Sequence, residues 1–132
     1  MNHNAEREAE RRRHPSALQS ARTSFAHPSE RVFATLLDVY RVKWLYEPFE
    51  FPLAWSSTGE VTRAFRPDFL LPDHNLFVEI TVAEQRLVTK KNGKIRTFRD
   101  LYPEVALEVV YQRNFYDLMN RHGIADLNGF AA

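Results

Sequence analysis

Two acidic residues lie inside apolar segments of the sequence, where a carboxylate is not expected. Asp68 interrupts residues 65–71 and Glu79 interrupts residues 76–82, and both segments have the composition of β-strands. A carboxylate buried without a partner is costly, so each acid needs a cation, hydrogen bonds or an exposed face. Strands joined by a short turn could bring two acids that are 11 residues apart in the sequence onto one hard cation such as Mg²⁺.

The side chains of the second segment alternate between the two faces of a sheet. Phe77, Glu79 and Thr81 share one face, and the opposite face carries only aliphatic residues. Glu79 therefore points away from the fully aliphatic side. An alternative stays open, in which Asp68 and Glu79 are strand-end acids that face solvent or pair with Arg66.

The elements that must position these acids follow from the periodicity of apolar residues and from turn signals. We predict a helix that begins at Pro28, extended segments within residues 42–51, strands over 61–71 and 76–82, a helix over 88–102, a strand over 105–111 and a helix over 114–121. Pro67 within a strand fits only an edge or an irregularity. The order α-β-β-β-α-β-α predicts an α/β fold with a mixed central sheet flanked by helices.

Length and composition are those of one globular domain. The chain has 132 residues, of which 44% are hydrophobic, and a net charge of +1 that does not by itself imply nucleic acid. We predict a domain at residues 25–125 between a flexible arm at 1–24 and a tail at 126–132. The absence of cysteine excludes disulfides and thiolate metal sites. No segment has the pattern of a signal peptide or a membrane span, which predicts a cytoplasmic protein.

The two acidic segments together resemble a known signature. Residues 66–69 (Arg-Pro-Asp-Phe), a short hairpin and residues 78–80 (Val-Glu-Ile) resemble the PD…(D/E)xK pattern of the restriction-endonuclease-like nuclease superfamily. Residues 44–48 resemble the strand that commonly precedes this pattern, and the resemblance spans approximately residues 27–123. It implies the restriction-endonuclease-like fold and metal-dependent cleavage of nucleic acid, with DNA favoured over RNA.

The resemblance also implies roles for individual residues. Asp68 and Glu79 would bind Mg²⁺ or Mn²⁺, and the Ile80 carbonyl would be a further ligand. The first helix of the superfamily often supplies another acid, and Glu30 is the matching position here. The alternative for Glu30 is an ordinary acid of the first helical turn that complements the helix dipole.

The chain departs from the pattern where the superfamily has a lysine, because Thr81 occupies that position. The lysine is thought to position the attacking water and to stabilise charge on the phosphate, which an uncharged hydroxyl cannot do. Gln85 is one candidate replacement, since glutamine takes the place of the lysine in some superfamily members.

The helix predicted over residues 88–102 offers two further candidates. If Ile95, Phe98 and Leu101 face the sheet, helical geometry places Lys91 and Lys94 on the same inward face. An inward lysine needs an acidic or phosphate partner. We therefore predict that Lys91 or Lys94 is a catalytic lysine that has migrated from the strand, with Lys90 as the exposed comparison.

The stretch from residue 86 to residue 99 contains six basic residues and no acid. This asymmetry predicts contact with a phosphate backbone through Arg86, Lys90, Arg96 and Arg99, and the alternative is a solvated helix face. The combined prediction is a metal-dependent endonuclease. The alternative, favoured by Thr81, is an inactive module of the same fold that binds nucleic acid or assembles with a partner subunit or as a homodimer.

Overall fold

The computed structural model describes residues 16–82 and 85–125, with the side chains of residues 16–18 and 85–88 left out of the description. The described residues form four helices, namely α1 (Ser16–Arg22), α2 (Pro28–Val39), α3 (Gln85–Leu101) and α4 (Phe115–Arg121). They also form six strands, namely β1 (Leu45–Tyr46), β2 (Phe51–Trp55), β3 (Val61–Phe65), β4 (Phe69–Leu71), β5 (Leu76–Ile80) and β6 (Leu107–Val110). None of the described helices is both long enough and apolar enough to span a membrane.

The central sheet has four strands in the order β1-β4-β5-β6. β4 is antiparallel to β1 and β5, whereas β6 is parallel to β5 and is reached through α3. All five residues of β5 are buried, as expected for a strand covered on both faces. The predicted mixed α/β fold with a sheet flanked by helices, and the central position of this strand, are confirmed.

Two hydrophobic clusters cover the two faces of the sheet. The first packs α2 and α4 against one face, with Phe33 of α2, Phe69 of β4 and Phe115 of α4 at its centre. The second joins α3 to the β2–β3 hairpin, with Phe98 of α3 in edge contact with Phe65 of β3. The sheet is therefore the middle layer, and α3 lies on the face opposite α2.

The strand predicted over residues 61–71 is wrong as a single element. It is two strands, since β3 pairs with β2 in a separate two-stranded sheet and β4 belongs to the central sheet. Pro67 is fully buried between them and cannot donate a ladder hydrogen bond, so the chain leaves one sheet there and enters the other. Asp68 follows directly and is thereby placed immediately before β4.

The folded unit begins earlier than the predicted residue 25. α1 contacts α2 through Ser20, which is buried and whose backbone N–H donates to Asp38 Oδ2 at 3.3 Å. Gln19 Nε2 donates to the carbonyl of Trp44 at 3.1 Å. Polar contacts to the core thus fix a segment that carries little apolar surface of its own. The rest of the predicted arm, residues 1–15, and the predicted tail at 126–132 lie outside the described residues.

The helices begin and end close to the predicted residues, with local differences. His27 caps α2 by accepting from the Ser29 N–H at 3.1 Å, and Pro28 occupies the first turn. Leu101 was predicted to face the sheet, but it is the last residue of α3 and is 44% exposed.

Gly93 lies in the middle of α3 and is not required there by the backbone. A Cβ added at Gly93 would meet only the guanidinium of Arg63, at 3.6 Å, which is an ordinary contact. We expect Gly93→Ala to raise the free energy of unfolding by about 0.5–1 kcal/mol, because alanine loses less backbone entropy in a helix. Chemical denaturation monitored by circular dichroism would measure this difference.

Gly59 provides the matched control for this substitution. It has a φ of +87° in the exposed turn between β2 and β3, a conformation that side-chain-bearing residues rarely adopt. Gly59→Ala should therefore lower the free energy of unfolding by about 1 kcal/mol or more. Equal effects of the two alanines would contradict the assignment of different backbone roles to these glycines.

Candidate metal centre

The register of the central sheet aligns three acids in one row. β1 pairs Tyr46 with Phe69, and β4 pairs Phe69 with Val78, so the next residues in the row are Glu47, Asp68 and Glu79. The backbone confirms this alignment, because Glu47 N–H donates to the Asp68 carbonyl at 2.8 Å. Three neighbouring strands thus each place one carboxyl group at the same level of the sheet.

Asp68 and Glu79 are locked together by reciprocal hydrogen bonds. The Asp68 N–H donates to Glu79 Oε1 at 3.0 Å, and the Ile80 N–H donates to Asp68 Oδ2 at 2.8 Å. Arg66, which the alternative interpretation paired with these acids, instead binds Glu50 at 2.7 Å. The two predicted acids are therefore neighbours with fixed orientation and do not pair with Arg66.

Lys91 is the cation that meets this carboxylate pair. Its Nζ lies 2.8 Å from Glu79 Oε2 and donates to the Ile80 carbonyl at 2.6 Å. The Glu79 side chain is only 6% exposed and the Lys91 side chain 27% exposed, so the ion pair is largely shielded from water. One lysine of α3 thus reaches both atoms that the sequence analysis assigned as metal ligands beside Asp68.

A second acidic group lies on the other side of Asp68. Glu30 comes from the first turn of α2, is buried, and accepts a hydrogen bond from the Tyr46 hydroxyl at 2.5 Å. Carboxylate oxygens of Glu30, Glu47 and Asp68 all lie within 4.8 Å of one another. Glu30 therefore brings a carboxyl group to Glu47 and Asp68 from the first turn of α2.

The close spacing of these carboxyl groups alters their protonation. Burial, followed by the charge of Glu79, raises the pKa of Asp68 to about 8, although the Ile80 N–H and Lys91 act in the opposite direction. Burial, with the nearby charges of Asp68 and Glu47, also raises the pKa of Glu30, against the effect of the Tyr46 hydrogen bond. These buried, closely spaced acids concentrate negative charge, which favours the binding of protons or cations.

The other predicted site residues fall into three groups. Lys90 and Lys94 line a cleft that leads to Glu79 and Thr81. Arg96 and Arg99 are exposed elsewhere on α3, and Arg99 donates to the Leu107 carbonyl at 3.2 Å, away from the acids. The predictions for the Gln85 and Arg86 side chains lie outside the described part of the chain.

Glu47 and Arg63 are the residues that sequence reasoning missed. Glu47 follows a strand of only two residues, so its place in the row of acids depends on the pairing of β1 with β4. Its position before Pro48, at the end of an apolar stretch, was the available signal. Arg63 extends across Gly93 of α3, a contact between elements far apart in the sequence for which no local pattern exists.

The chemistry of the ligand atoms fits a divalent cation. Asp68, Glu79 and the Ile80 carbonyl supply only oxygen atoms, which Mg²⁺ and Mn²⁺ prefer. The Lys91 ammonium contacts the Glu79 carboxylate and the Ile80 carbonyl, which are the oxygens that a metal ion would contact there.

Comparisons of the chain with protein-family models, curated proteins and solved structures find no match.

Asp68→Asn should change the pH dependence of stability. Because the pKa of folded Asp68 is raised above its ordinary value of 3.8, the stability this group contributes is fully present below about pH 4 and is lost as the pH rises towards 8. Asparagine cannot ionise. We therefore expect the stability of Asp68→Asn, relative to the unsubstituted protein, to increase steadily between pH 5 and pH 8.5 in EDTA.

Thermal unfolding at a series of pH values measures this effect. Asp73→Asn is the control, because Asp73 is exposed in the turn between β4 and β5 and lies outside the row of acids. The difference in stability between Asp73→Asn and the unsubstituted protein should stay constant over the same pH range. A constant difference for Asp68→Asn as well would show that Asp68 ionises normally in the folded protein.

Proposed function

We propose that this chain is a metal-dependent phosphodiesterase of the restriction-endonuclease-like superfamily that acts on DNA. The observation that carries the proposal is that the Lys91 ammonium contacts both the Glu79 carboxylate and the Ile80 carbonyl, while backbone hydrogen bonds tie Asp68 to Glu79 and Ile80. These are the ligand types and the cation that the sequence signature calls for. Only the lysine comes from a different element, since α3 supplies it in place of Thr81.

The proposed reaction is the hydrolysis of one phosphodiester bond. A water oxygen forms a bond to phosphorus, the bond from phosphorus to one ester oxygen breaks, and that oxygen leaves with a proton; nothing is oxidised or reduced. A divalent ion held by Asp68, Glu79 and Ile80 would polarise the phosphate and lower the pKa of a bound water. Lys91 would place its positive charge beside the negative charge that accumulates on the phosphate.

The burial of Glu79 suits the proposed hydrolysis of a phosphodiester bond. Glu79 is shielded from water on the inner side of the cleft, and charges interact more strongly there than at an exposed surface. Reciprocal backbone hydrogen bonds hold both carboxylates in place, so little reorganisation is needed when a substrate arrives. Thr81 still favours the alternative of an inactive module. An assay of DNA cleavage distinguishes this alternative from the phosphodiesterase.

Cleavage should depend on a divalent ion and on both acids. We expect nicking of plasmid DNA and degradation of single-stranded DNA with Mg²⁺ or Mn²⁺, no reaction in EDTA, and loss of activity to background in Asp68→Asn and in Glu79→Gln. Gel electrophoresis of time courses measures this. Persistent cleavage by both variants would assign the activity to a contaminant, and binding without cleavage by any form would leave the inactive module as the function.

The lysines of α3 provide an internal comparison. Lys91→Met keeps the length of the side chain but removes the charge that contacts Glu79, so cleavage should fall by about 100-fold or more. Lys90→Met alters the neighbouring exposed lysine and should mainly weaken substrate binding in a salt-dependent way, with a raised KM and little change in kcat. Equal and small losses in both variants would show that Lys91 is not catalytic.

Metal affinity should respond differently from activity. Glu79→Gln should weaken Mn²⁺ binding by more than about tenfold, because it removes a ligand charge. Lys91→Met should bind Mn²⁺ at least as tightly as the unsubstituted protein, since its ammonium competes for Glu79 Oε2 and the Ile80 carbonyl. Isothermal titration measures both. A greater loss in Glu47→Gln than in Glu79→Gln would instead place the ion among Glu30, Glu47 and Asp68.

A further inference from the structure

A cleft of about 480 Å³ leads from the surface to the proposed catalytic group. One wall is α3, which contributes Lys90, Lys91 and Lys94, and the other wall is the end of β3. Glu79 and Thr81 line its inner end. A phosphate must enter this cleft to reach Glu79, because the Glu79 side chain is 6% exposed.

Unpaired positive charge lines the α3 wall of the cleft, whereas Arg66 on the opposite wall is paired with Glu50. Lys90, Gly93 and Lys94 share one face of α3 by helical spacing, and the Arg63 guanidinium of β3 lies over Gly93. None of these three cations forms an ion pair with an acid within the part of the chain that the structure describes. Unpaired like charges at close range repel each other, so the arrangement is suited to a polyanion between the two walls.

The dimensions of the cleft restrict which polyanion can enter. Its volume is in the range of roughly 300–1,000 Å³ that is typical of a pocket for one small molecule. That space holds a nucleotide or two of one strand, whereas a base pair with both backbones is too large. The aliphatic part of the lining, from partly buried Ala64 and Val82, offers apolar contact to a base and no hydrogen-bonding code for its edge.

We propose that this cleft binds a single unpaired DNA strand, with Lys90 and Lys94 on its phosphates, and that unpaired DNA is the substrate. This inference rests on the proposed phosphodiesterase function and narrows its substrate class. It predicts little preference for sequence, because phosphate contacts and apolar contacts are common to all nucleotides. Arg96 and Arg99, which lie on α3 but outside the cleft lining, do not take part.

Binding without cleavage tests the proposal directly. The probe is a 5′-labelled 12-nucleotide oligo(dT), alone or as a blunt duplex with oligo(dA), titrated in EDTA and followed by fluorescence anisotropy. We expect the single strand to bind at least about tenfold more tightly than the duplex. Comparable affinity for the two probes would overturn the proposal.

Variants locate the strand on the protein. Lys90→Gln and Lys94→Gln should each weaken binding of the single strand by about three- to tenfold and reduce the slope of log K against log salt by about 0.7. Arg96→Gln and Arg99→Gln, the matched substitutions elsewhere on α3, should leave both quantities unchanged. Losses as large in these two controls as in the cleft variants would overturn the proposal.

The same assays separate this inference from the phosphodiesterase function. Selective binding of the single strand by a protein that cleaves no DNA with any metal would support the cleft as a strand-binding site and overturn hydrolysis. Metal-dependent cutting of duplex and single-stranded DNA at equal rates would support hydrolysis and overturn the substrate assigned here.

Discussion

The central constraint on this structure is that several carboxyl groups lie close together in one row across its central sheet. Pairing of β1, β4 and β5 places Glu47, Asp68 and Glu79 in one row, and the first turn of α2 adds Glu30. Charges of the same sign at this spacing would destabilise the sheet if all were ionised in a buried setting. Lys91 offsets part of that repulsion through Glu79, and the raised pKa of Asp68 offsets more by allowing a proton to remain. The proposed divalent ion would offset the repulsion that remains.

The break in the chain at Pro67 makes this arrangement possible. Because proline cannot continue the ladder, β3 ends in the hairpin sheet and Asp68 emerges where the chain joins the central sheet. The hairpin then packs against α3 through Phe65 and Phe98, which forms the cleft wall opposite the lysines. One irregular segment therefore orients the Asp68 carboxyl group and also shapes the approach to it. A single strand over residues 61–71 with an irregularity at Pro67, as predicted from the sequence, would not have separated the hairpin from the central sheet.

Sequence reasoning succeeded where the physical signal is local. The alternation of side chains in β5 predicted that Glu79 and Phe77 share one face of the sheet. The helical spacing of apolar residues in α3 predicted that Lys91 faces inward. It failed where position depends on pairing between distant segments. Glu47 reaches the site only because a two-residue strand pairs with β4, and Arg63 meets Gly93 of α3 only because the hairpin packs against that helix. α1 was also missed, because it is fixed by polar contacts to the core and has little apolar periodicity of its own.

Lys91 comes from a helix, whereas the lysine of the signature that the sequence resembles comes from the strand. This difference has a physical consequence. A lysine at position 81 would be fixed by the register of β5, whereas Lys91 is fixed by the packing of a helix. Ile95 and Phe98 follow Lys91 by four and seven residues, so all three lie on one face of α3, and the two apolar side chains anchor that face in the second hydrophobic cluster. The charge at the acids is therefore positioned by apolar packing several residues away. Disturbing that cluster would move Lys91 without touching any carboxylate, which couples the precision of the site to the core beneath the cleft.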